Sequence, residues 1–317
     1  MSTNADRKKK ALLKRVAGLL GGGKSRAIIS EPFLKQVFRR VPFEELNTAS
    51  PEALAAIVTG QLDFMAARKP GELLLRVYHP TAEANGWESE HSVVEMVNDD
   101  RPFLVDSASL ALSEMGLGIH LVVHPIIRVE RDARGRLLRV LPRGSGDGQA
   151  ESVMQFHIDK RTGEADVAEI KRRLLAAMSD AEKATRDWKA MEKRVAETVG
   201  EMPRWAPGVK TAWMEECQAF TRWLLDDHFV LLGIRDYEVV HRGGKDVLQR
   251  VPGSGLGILR EDKNTRKTRS LDSLAPAALK LSQKRPLIIT KTNARSTVHR
   301  AGFMDYIGIL HIDENGK

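Results

Sequence analysis

The strongest constraint on the fold is the order of hydrophobic patterns between residues 73 and 178. Five short runs are predicted to be strands, of which His120–Val129 is rich in valine and isoleucine and Ser152–Ile158 alternates. They are Leu73–Tyr78, Ser92–Val97, His120–Val129, Arg136–Leu141 and Ser152–Ile158. Two other runs, Phe103–Met115 and Glu164–Met178, repeat their apolar residues at helical spacing. This segment therefore predicts an α+β domain with helices packed on an antiparallel sheet.

The order of these elements is strand, strand, helix, three strands, helix. Its core is βαββα, one strand short of the ferredoxin-like βαββαβ unit. The missing strand would be the last one, after the second helix. We expect Leu73–Tyr78 to take its place in the sheet by coming first.

The first 70 residues are predicted to form an all-helical head. Leucines and Val16 follow a helical repeat over residues 8–20, and Gly21–Gly23 is expected to end that helix. Ser30-Glu31-Pro32 predicts the start of a second helix, and Ser50-Pro51-Glu52 the start of a third. The head would end near residue 70.

A basic segment at the N-terminus accounts for the formal net charge of +8. It holds eight cationic residues and no acid between residues 7 and 30: Arg7, Lys8, Lys9, Lys10, Lys14, Arg15, Lys24 and Arg26. Such a run suits nucleic acid, anionic lipid or an acidic partner, but it lacks the interleaved aromatics that stack on bases. We favour a solvated tail and expect no nucleic-acid partner; salt-sensitive binding lost on removing residues 1–26 would indicate one.

After residue 180 a second pattern begins. The helix is expected to continue as a linker over residues 181–207, broken near Met202–Gly208 and followed by a helix at Val209–Leu225. Five strand-like runs and one short helix then predict an antiparallel α/β domain over residues 208–317. The strands are Phe229–Val240, Val247–Val251, Pro286–Thr290, Ser296–Arg300 and Asp305–Ile312, and the helix is Ala275–Leu281. The Asn315-Gly316 turn signal has no strand after it, so we expect this domain to be incomplete.

Two glycine-rich segments resemble nucleotide-binding motifs, but the sequence around each of them disfavours nucleotide binding. Gly18–Ser25 spells the phosphate-loop pattern, but a basic amphipathic helix precedes it where a buried strand is required. Gly253–Gly257 lacks the third glycine of the dinucleotide fingerprint, because Ile258 occupies that position. We expect a helix stop and a tight turn, and assign no cofactor-binding residue.

Candidate metal and redox residues are few. His120 and His124 would share a strand face at about 13 Å, too far apart for direct ligation of one zinc ion. Asp226-Asp227-His228 lies at a predicted helix-to-strand junction, where a capping role is expected. Cys217 is the single cysteine, which excludes an internal disulfide and agrees with a reducing, cytoplasmic setting. We predict no metal site, no catalytic residue and no membrane partner.

The segment from Asn98 to Ser107 is the candidate effector-binding loop, because it joins a strand to a helix start whose free N–H groups attract anions. Its candidate residues are Asn98, Asp99, Asp100, Arg101, Asp106 and Ser107. A structural role for these residues is also an open interpretation. Asp99 or Asp100 would simply cap the following helix, since a capped turn requires the same residue types.

Several runs make the chain resemble the N-terminal region of the large bacterial NAD-specific glutamate dehydrogenases. They are Val97–Ser107, Gly118–Pro125, Phe38–Pro42, Trp223–Gly233, Gly255–Arg260 and Ser296–Gly308. The resemblance implies an ACT-like domain near residues 72–180 and a PAS-like domain from about residue 208. It also implies that NAD and the catalytic residues of the parent enzyme lie outside this chain. Amino-acid effectors are expected at Asn98–Ser107, although Phe103 stands where such loops usually carry glycine.

The resemblance leads to one main functional hypothesis and one alternative. The main hypothesis is a regulatory and oligomerisation segment, inactive alone, whose partners are the rest of its own chain and like subunits. The parent reaction would be oxidative deamination of glutamate to 2-oxoglutarate and ammonium with NAD. The alternative is a standalone amino-acid-sensing ACT-type module that acts on another protein.

Overall fold

The computed structural model describes residues 4–20, 23–205, 209–242, 245–260 and 285–310. The chain divides into two compact units. Unit 1 comprises residues 1–101 and 111–175, and unit 2 comprises residues 102–110 and 176–317. No helix in the described part of the chain has both the length and the apolar character needed to cross a membrane.

The first part of unit 1 is helical, as predicted. Its helices are α1 (Asn4–Leu19), α2 (Gly23–Val37), α3 (Phe43–Leu46) and α4 (Pro51–Phe64). Ser50 caps α4 by accepting a hydrogen bond from the Ala53 N–H, and Pro51 fills the first turn, where its missing N–H costs nothing. The predicted start of the second helix at Ser30 is wrong. Helix α2 begins at Gly23 and contains Pro32 in its interior.

The second part of unit 1 is an antiparallel sheet with short helices. The strands are β1 (Leu74–Tyr78), β2 (Ser92–Asp99), β3 (Ile119–Val123), β4 (Ile126–Arg131), β5 (Leu137–Val140) and β6 (Gln149–Ile158). Helix α5 (Ala82–Asn85) lies between β1 and β2, and α6 (Leu104–Ser113) follows β2. The strand order is β1-β2-β6-β4-β5, with β3 also paired to β6. The expected α+β class with an antiparallel sheet is confirmed.

Strand β1 lies at the edge of this sheet and pairs with β2 in antiparallel register, Val77 opposite Val94. It thus supplies the strand that the βαββα pattern lacks, as expected. The predicted single strand His120–Val129 is instead two strands, β3 and β4. The break falls at His124-Pro125, because proline has no N–H to donate to a sheet ladder.

One apolar core joins the helical head to the sheet. Its buried side chains come from both parts: Val16, Phe33, Val58 and Met65 from the head, and Val97, Ile127, Val129, Val140 and Val153 from the strands. Each large side chain buried here contributes about 1.5–3 kcal/mol. The head is therefore part of the folded body of unit 1.

Helix α7 is a continuous element of 42 residues, Glu164–Trp205. The expected helical continuation beyond residue 180 is confirmed, although the helix extends into the predicted break and contains Pro203. Helix α8 spans Thr211–Trp223, and a π-helical turn, Leu224–His228, follows it.

Unit 2 contains short antiparallel pairs. They are β7 (Gly233–Ile234) with β10 (Leu256–Gly257), β8 (Tyr237–Arg242) with β9 (Lys245–Arg250), and β11 (Leu287–Arg295) with β12 (Phe303–Ile309). The predicted strand Ser296–Arg300 is wrong. Buried Val298 occupies a turn in which the Ser296 hydroxyl donates to the Val298 carbonyl at 2.8 Å. The predicted helix Ala275–Leu281 and the Asn315-Gly316 turn lie outside the described residues.

Candidate functional site: the segment from Asn98 to Ser107 and an adjoining cavity

Asn98 and Asp99 form the end of strand β2 in unit 1. Asn98 is buried and pairs with Ser152 of β6, and its side-chain oxygen accepts a hydrogen bond from the Asp99 N–H at 2.9 Å. Asn98 therefore fixes the local backbone at the point where the chain leaves the sheet.

Asp99 is the centre of a polar cluster. Its carboxylate accepts hydrogen bonds from Arg68 at 2.5 Å, from Gln149 at 2.7 Å and from the Gly71 N–H at 2.8 Å. Arg101 lies 3.6 Å away. Burial alone would raise the pKa of Asp99, but the hydrogen bond and charge of Arg68 outweigh it and hold the pKa below its usual value. Both carboxylate oxygens are thus already engaged.

Asp100 presents an exposed side chain, and its backbone N–H donates to the Ala150 carbonyl at 3.0 Å. Its charge acts on His124, whose ring nitrogen lies 2.6 Å from the Ser152 hydroxyl. Burial lowers the pKa of His124, and the carboxylate of Asp100 partly opposes this shift. Asp100 is therefore an exposed carboxylate of this segment, as is Asp106.

Asp106 and Ser107 belong to unit 2 and contact His299 there. The His299 ring nitrogen lies 3.1 Å from an Asp106 carboxylate oxygen, and the His299 backbone N–H donates to the buried Ser107 hydroxyl at 3.2 Å. The Phe103 ring packs on the His299 ring with centroids 4.7 Å apart. The six predicted residues are thus shared: Asn98–Arg101 lie in unit 1, and Asp106 and Ser107 lie in unit 2.

Phe103 adopts φ +70°, a backbone conformation that L-residues with bulky side chains rarely occupy. The resemblance implies glycine at this position, and the observed angle explains why glycine suits it. Asp227 and His299 also have positive φ, at 56° and 65°. Within the described residues these are the three non-glycine positions of this kind, and all lie in unit 2. Such strain of roughly 1–3 kcal/mol per residue persists where the surrounding packing enforces it.

A cavity of about 190 Å³ in unit 2 adjoins Phe103. Its walls come from the two residues before α6, the middle of α7 and the segment after α8. They comprise Pro102, Phe103, Ala184, Thr185, Trp188, Glu192, Leu224, Leu225, Asp227, Phe229, Val230 and Leu231. Sequence reasoning missed this cavity, because its walls are up to 129 positions apart in the chain. The sequence signal that could have indicated the cavity is the run Trp223–Gly233, which was noted only for its family resemblance and which supplies half of the lining residues.

The remaining motifs have structural partners. His120 pairs with Asp159 at 2.8 Å, and it stacks on His91 with ring centroids 4.0 Å apart. No group of three or more potential ligands is placed to hold a metal ion in the described part of the chain. The His228 ring stacks on the Trp223 ring, and the Nδ1 atom of His228 lies 3.0 Å from the Trp223 carbonyl oxygen.

Both glycine-rich segments also have structural explanations. In the turn Gly253–Gly257 a Cβ on Gly257 would lie only 2.2 Å from the Leu232 carbonyl oxygen, so close backbone packing requires glycine. The expected tight turn is confirmed. The phosphate-loop pattern Gly18–Ser25 overlaps the end of helix α1 at Leu19 and the start of α2 at Gly23, so the segment before it is helical, as expected; Gly21 and Gly22 lie outside the described residues.

Comparison with known proteins supports the sequence resemblance. Residues 33–174 match the family described as the glutamate dehydrogenase ACT1 domain. The NAD-specific glutamate dehydrogenase of Halomonas elongata is 28% identical over 298 residues, which is 93% of this chain and 18% of the relative. The Pseudomonas aeruginosa enzyme of the same description is 27% identical over 291 residues, again 18% of its length. The Mycobacterium tuberculosis enzyme is 26% identical over 196 residues, 61% of this chain and 12% of the relative.

The chain therefore spans less than one fifth of the relatives' length, while the two longest matches cover at least nine tenths of the chain. The ACT1 match begins within helix α2, in agreement with the core that joins the helical head to the sheet. Residues 33–174 are thus similar to the glutamate dehydrogenase ACT1 domain, and nine tenths of the chain is similar to part of two NAD-specific glutamate dehydrogenases.

Proposed function

We propose that this chain is the N-terminal regulatory and assembly segment of a large NAD-dependent glutamate dehydrogenase. The parent reaction is the oxidative deamination of glutamate to 2-oxoglutarate and ammonium, with NAD as hydride acceptor. The chemistry and the NAD site belong to the rest of the parent protein, which works in the cytoplasm. The observation that carries the proposal is the ACT1 match combined with a chain that spans 18% of its relatives.

The partners of this segment are the remainder of its own chain and like subunits. Three exposed apolar side chains of unit 1 are the proposed contacts for assembly: Val122 on β3, Ile126 on β4 and Leu138 on β5. The Lys9 ammonium of α1 donates to the Arg39 and Val41 carbonyls, and the other basic residues of α1 form a solvated face in this proposal, with no nucleic-acid partner.

The effector, an amino acid, contacts the segment from Asn98 to Ser107. Asp100 is the favoured contact for its ammonium group, because the Asp99 oxygens already bind Arg68, Gln149 and Gly71.

Within the same proposal, residues 208–317 form a PAS-like domain. The pairs β7–β10, β8–β9 and β11–β12 supply the antiparallel strands that such a domain needs.

Two measurements test the regulatory reading. The isolated 317-residue chain should show no NAD-dependent oxidation of glutamate, while the parent enzyme should be active and change subunit number or effector response when residues 33–174 are deleted. Glutamate oxidation by the isolated chain, or an unchanged oligomer and response after the deletion, would overturn the proposal.

For the effector contact, Asp100→Asn should weaken amino-acid binding measured by calorimetry, whereas the exposed control Asp147→Asn should leave it unchanged.

The alternative is a standalone amino-acid-sensing module. It is favoured by the complete ACT-type sheet of unit 1, which the chain builds from its own strands. The intact mass of the native protein that contains this segment separates the two. A mass several times 35.3 kDa supports the dehydrogenase segment, and a mass near 35.3 kDa supports the sensing module.

A further inference from the structure

We propose that the cavity beside Phe103 binds a small organic cation, an apolar group that carries a protonated amine. This site is separate from the amino-acid contact at Asp100, and its test does not require the dehydrogenase. The proposal rests on the volume of the cavity, its aromatic walls, and the sign of the charges at its edge.

The volume limits the size of the ligand. A cavity of roughly 150 Å³ holds benzene, so the observed volume of about 190 Å³ admits one six-membered ring with one or two further heavy atoms. Three aromatic side chains, Phe103, Trp188 and Phe229, form part of its walls. Trp188 and Phe229 are 42% and 39% exposed, although burial of such side chains is strongly favourable. A small apolar group would cover them.

The polar side chains of the wall select the charge of the ligand. Glu192 and Asp227 line the cavity, and neither has a hydrogen bond or ion pair within the described residues. The Thr185 hydroxyl already donates to the Ala181 carbonyl at 2.7 Å. Among the described residues, no Lys, Arg or His side chain lines the cavity. Two carboxylates without a matching cation attract an amine and repel a carboxylate.

The aromatic wall favours the same charge, because the face of an indole ring attracts cations. The Lys189 ammonium lies 5.8 Å from the centroid of the Trp188 ring, within the range of this interaction. A ligand amine would meet two carboxylates and would share the Trp188 ring with the Lys189 ammonium. Free amino acids are disfavoured, since their carboxylate would face Glu192 and Asp227.

The backbone at this site is held in place before any ligand arrives. Phe103 and Asp227 both line the cavity and both have positive φ. Residues in such conformations are fixed by their surroundings and concentrate at ligand sites. The carboxylate of Asp227 is thus presented to the cavity by a π-helical turn with non-helical torsion angles at Asp226 and Asp227.

The test uses the 317-residue chain and three ring ligands: benzylamine and benzyl alcohol, which match in shape, and benzoate, which is slightly larger and planar. Ligand-observed NMR titration should give a Kd on the order of 1 mM for benzylamine, as expected for a ligand of this size. Benzylamine should bind about threefold to tenfold more tightly than benzyl alcohol, and benzoate should bind most weakly. The double variant Glu192→Gln, Asp227→Asn should remove the preference for the amine. Asn tolerates positive φ, so this variant keeps the backbone.

A second variant tests the location. Ala184→Leu fills the cavity from α7 and should abolish benzylamine binding, while Ala190→Leu at an exposed position of the same helix should preserve it. Glu201→Gln is the matched charge control, exposed and away from the cavity. Three results would overturn the proposal: no saturable binding of benzylamine below about 10 mM, equal affinity for benzoate, or binding that survives Ala184→Leu. If Ala184→Leu fails to fold, the isosteric double variant decides.

Discussion

Arg68 and Glu151, 83 positions apart in the sequence, form an ion pair at 3.0 Å in which both side chains are fully buried. Arg131 binds the same carboxylate at 2.7 Å, and Arg68 also binds Asp99. The pair attaches the end of the helical head to the central strand β6. A buried charge is tolerated only when an opposite charge lies beside it. Removing any one of these side chains would therefore leave a buried charge less well compensated.

Glu151→Gln should therefore destabilise the chain by about 3–5 kcal/mol, because it leaves the buried Arg131 guanidinium without its carboxylate and Arg68 with Asp99 alone. Urea unfolding monitored by circular dichroism measures this loss. Glu130→Gln removes the exposed pair with Arg139, 3.5 Å apart, and should cost less than about 1 kcal/mol. Equal losses for the two variants would contradict the buried cluster.

Gly135 is the residue that brings the β4–β5 hairpin against Arg68. It has φ +84°, and a Cβ there would lie 2.6 Å from the Arg68 carbonyl oxygen. Gly135→Ala should cost about 2–3 kcal/mol, the sum of backbone strain and a backbone clash. Gly144 has a similar φ of +81° with nothing within 4 Å, so Gly144→Ala should cost only about 1 kcal/mol. The difference between the two unfolding free energies measures the clash, and a difference near zero would disprove it.

Because Phe103 has a positive φ, we expect its glycine variant to be more stable than its alanine variant, the reverse of the order in a helix. Phe103→Gly should be more stable than Phe103→Ala by about 1 kcal/mol, because both remove the ring but only alanine keeps a Cβ in the left-handed region. At Val105 in helix α6 the order should reverse, with alanine more stable than glycine by about 1 kcal/mol. Thermal unfolding of the four variants tests both orders, and the same order at both positions would contradict the backbone conformation of Phe103.

His157 makes the stability of unit 1 depend on pH. Burial lowers its pKa to about 4, helped by the charges of His91 and His120. Since the unfolded pKa is about 6.5, the unfolded chain binds the proton more readily. The stabilising contribution is complete above pH 6.5 and is lost as pH falls towards 4, with an upper bound of about 3 kcal/mol.

Urea unfolding at several pH values between 7.5 and 4 measures this loss. His157→Phe should flatten the profile in that window. A smaller slope should remain from His124, whose pKa is also lowered by burial. An identical slope in the variant and the parent chain would exclude His157 as the source.

The elements of unit 1 were largely predictable because their signals are local. The apolar run in Ser92–Val97, the alternation in Ser152–Ile158 and the helical repeat in Glu164–Met178 each lie within one element. Errors arose where a local signal met a tertiary requirement. Pro32 predicts a helix start but lies inside α2, and Ser296–Arg300 has strand composition but forms the turn that buries Val298.

By itself the sequence determined the α+β class, most of the order of strands and helices in unit 1, and the segment from Asn98 to Ser107 as a candidate contact. Only the tertiary structure decided which charges meet, since Arg68 finds Glu151 through packing of the head on the sheet. The same holds for the cavity, where Phe103, Trp188 and Asp227 converge from three separate elements. Periodicity is encoded within a few residues, whereas pairing across 80 or more positions depends on the closure of a common core.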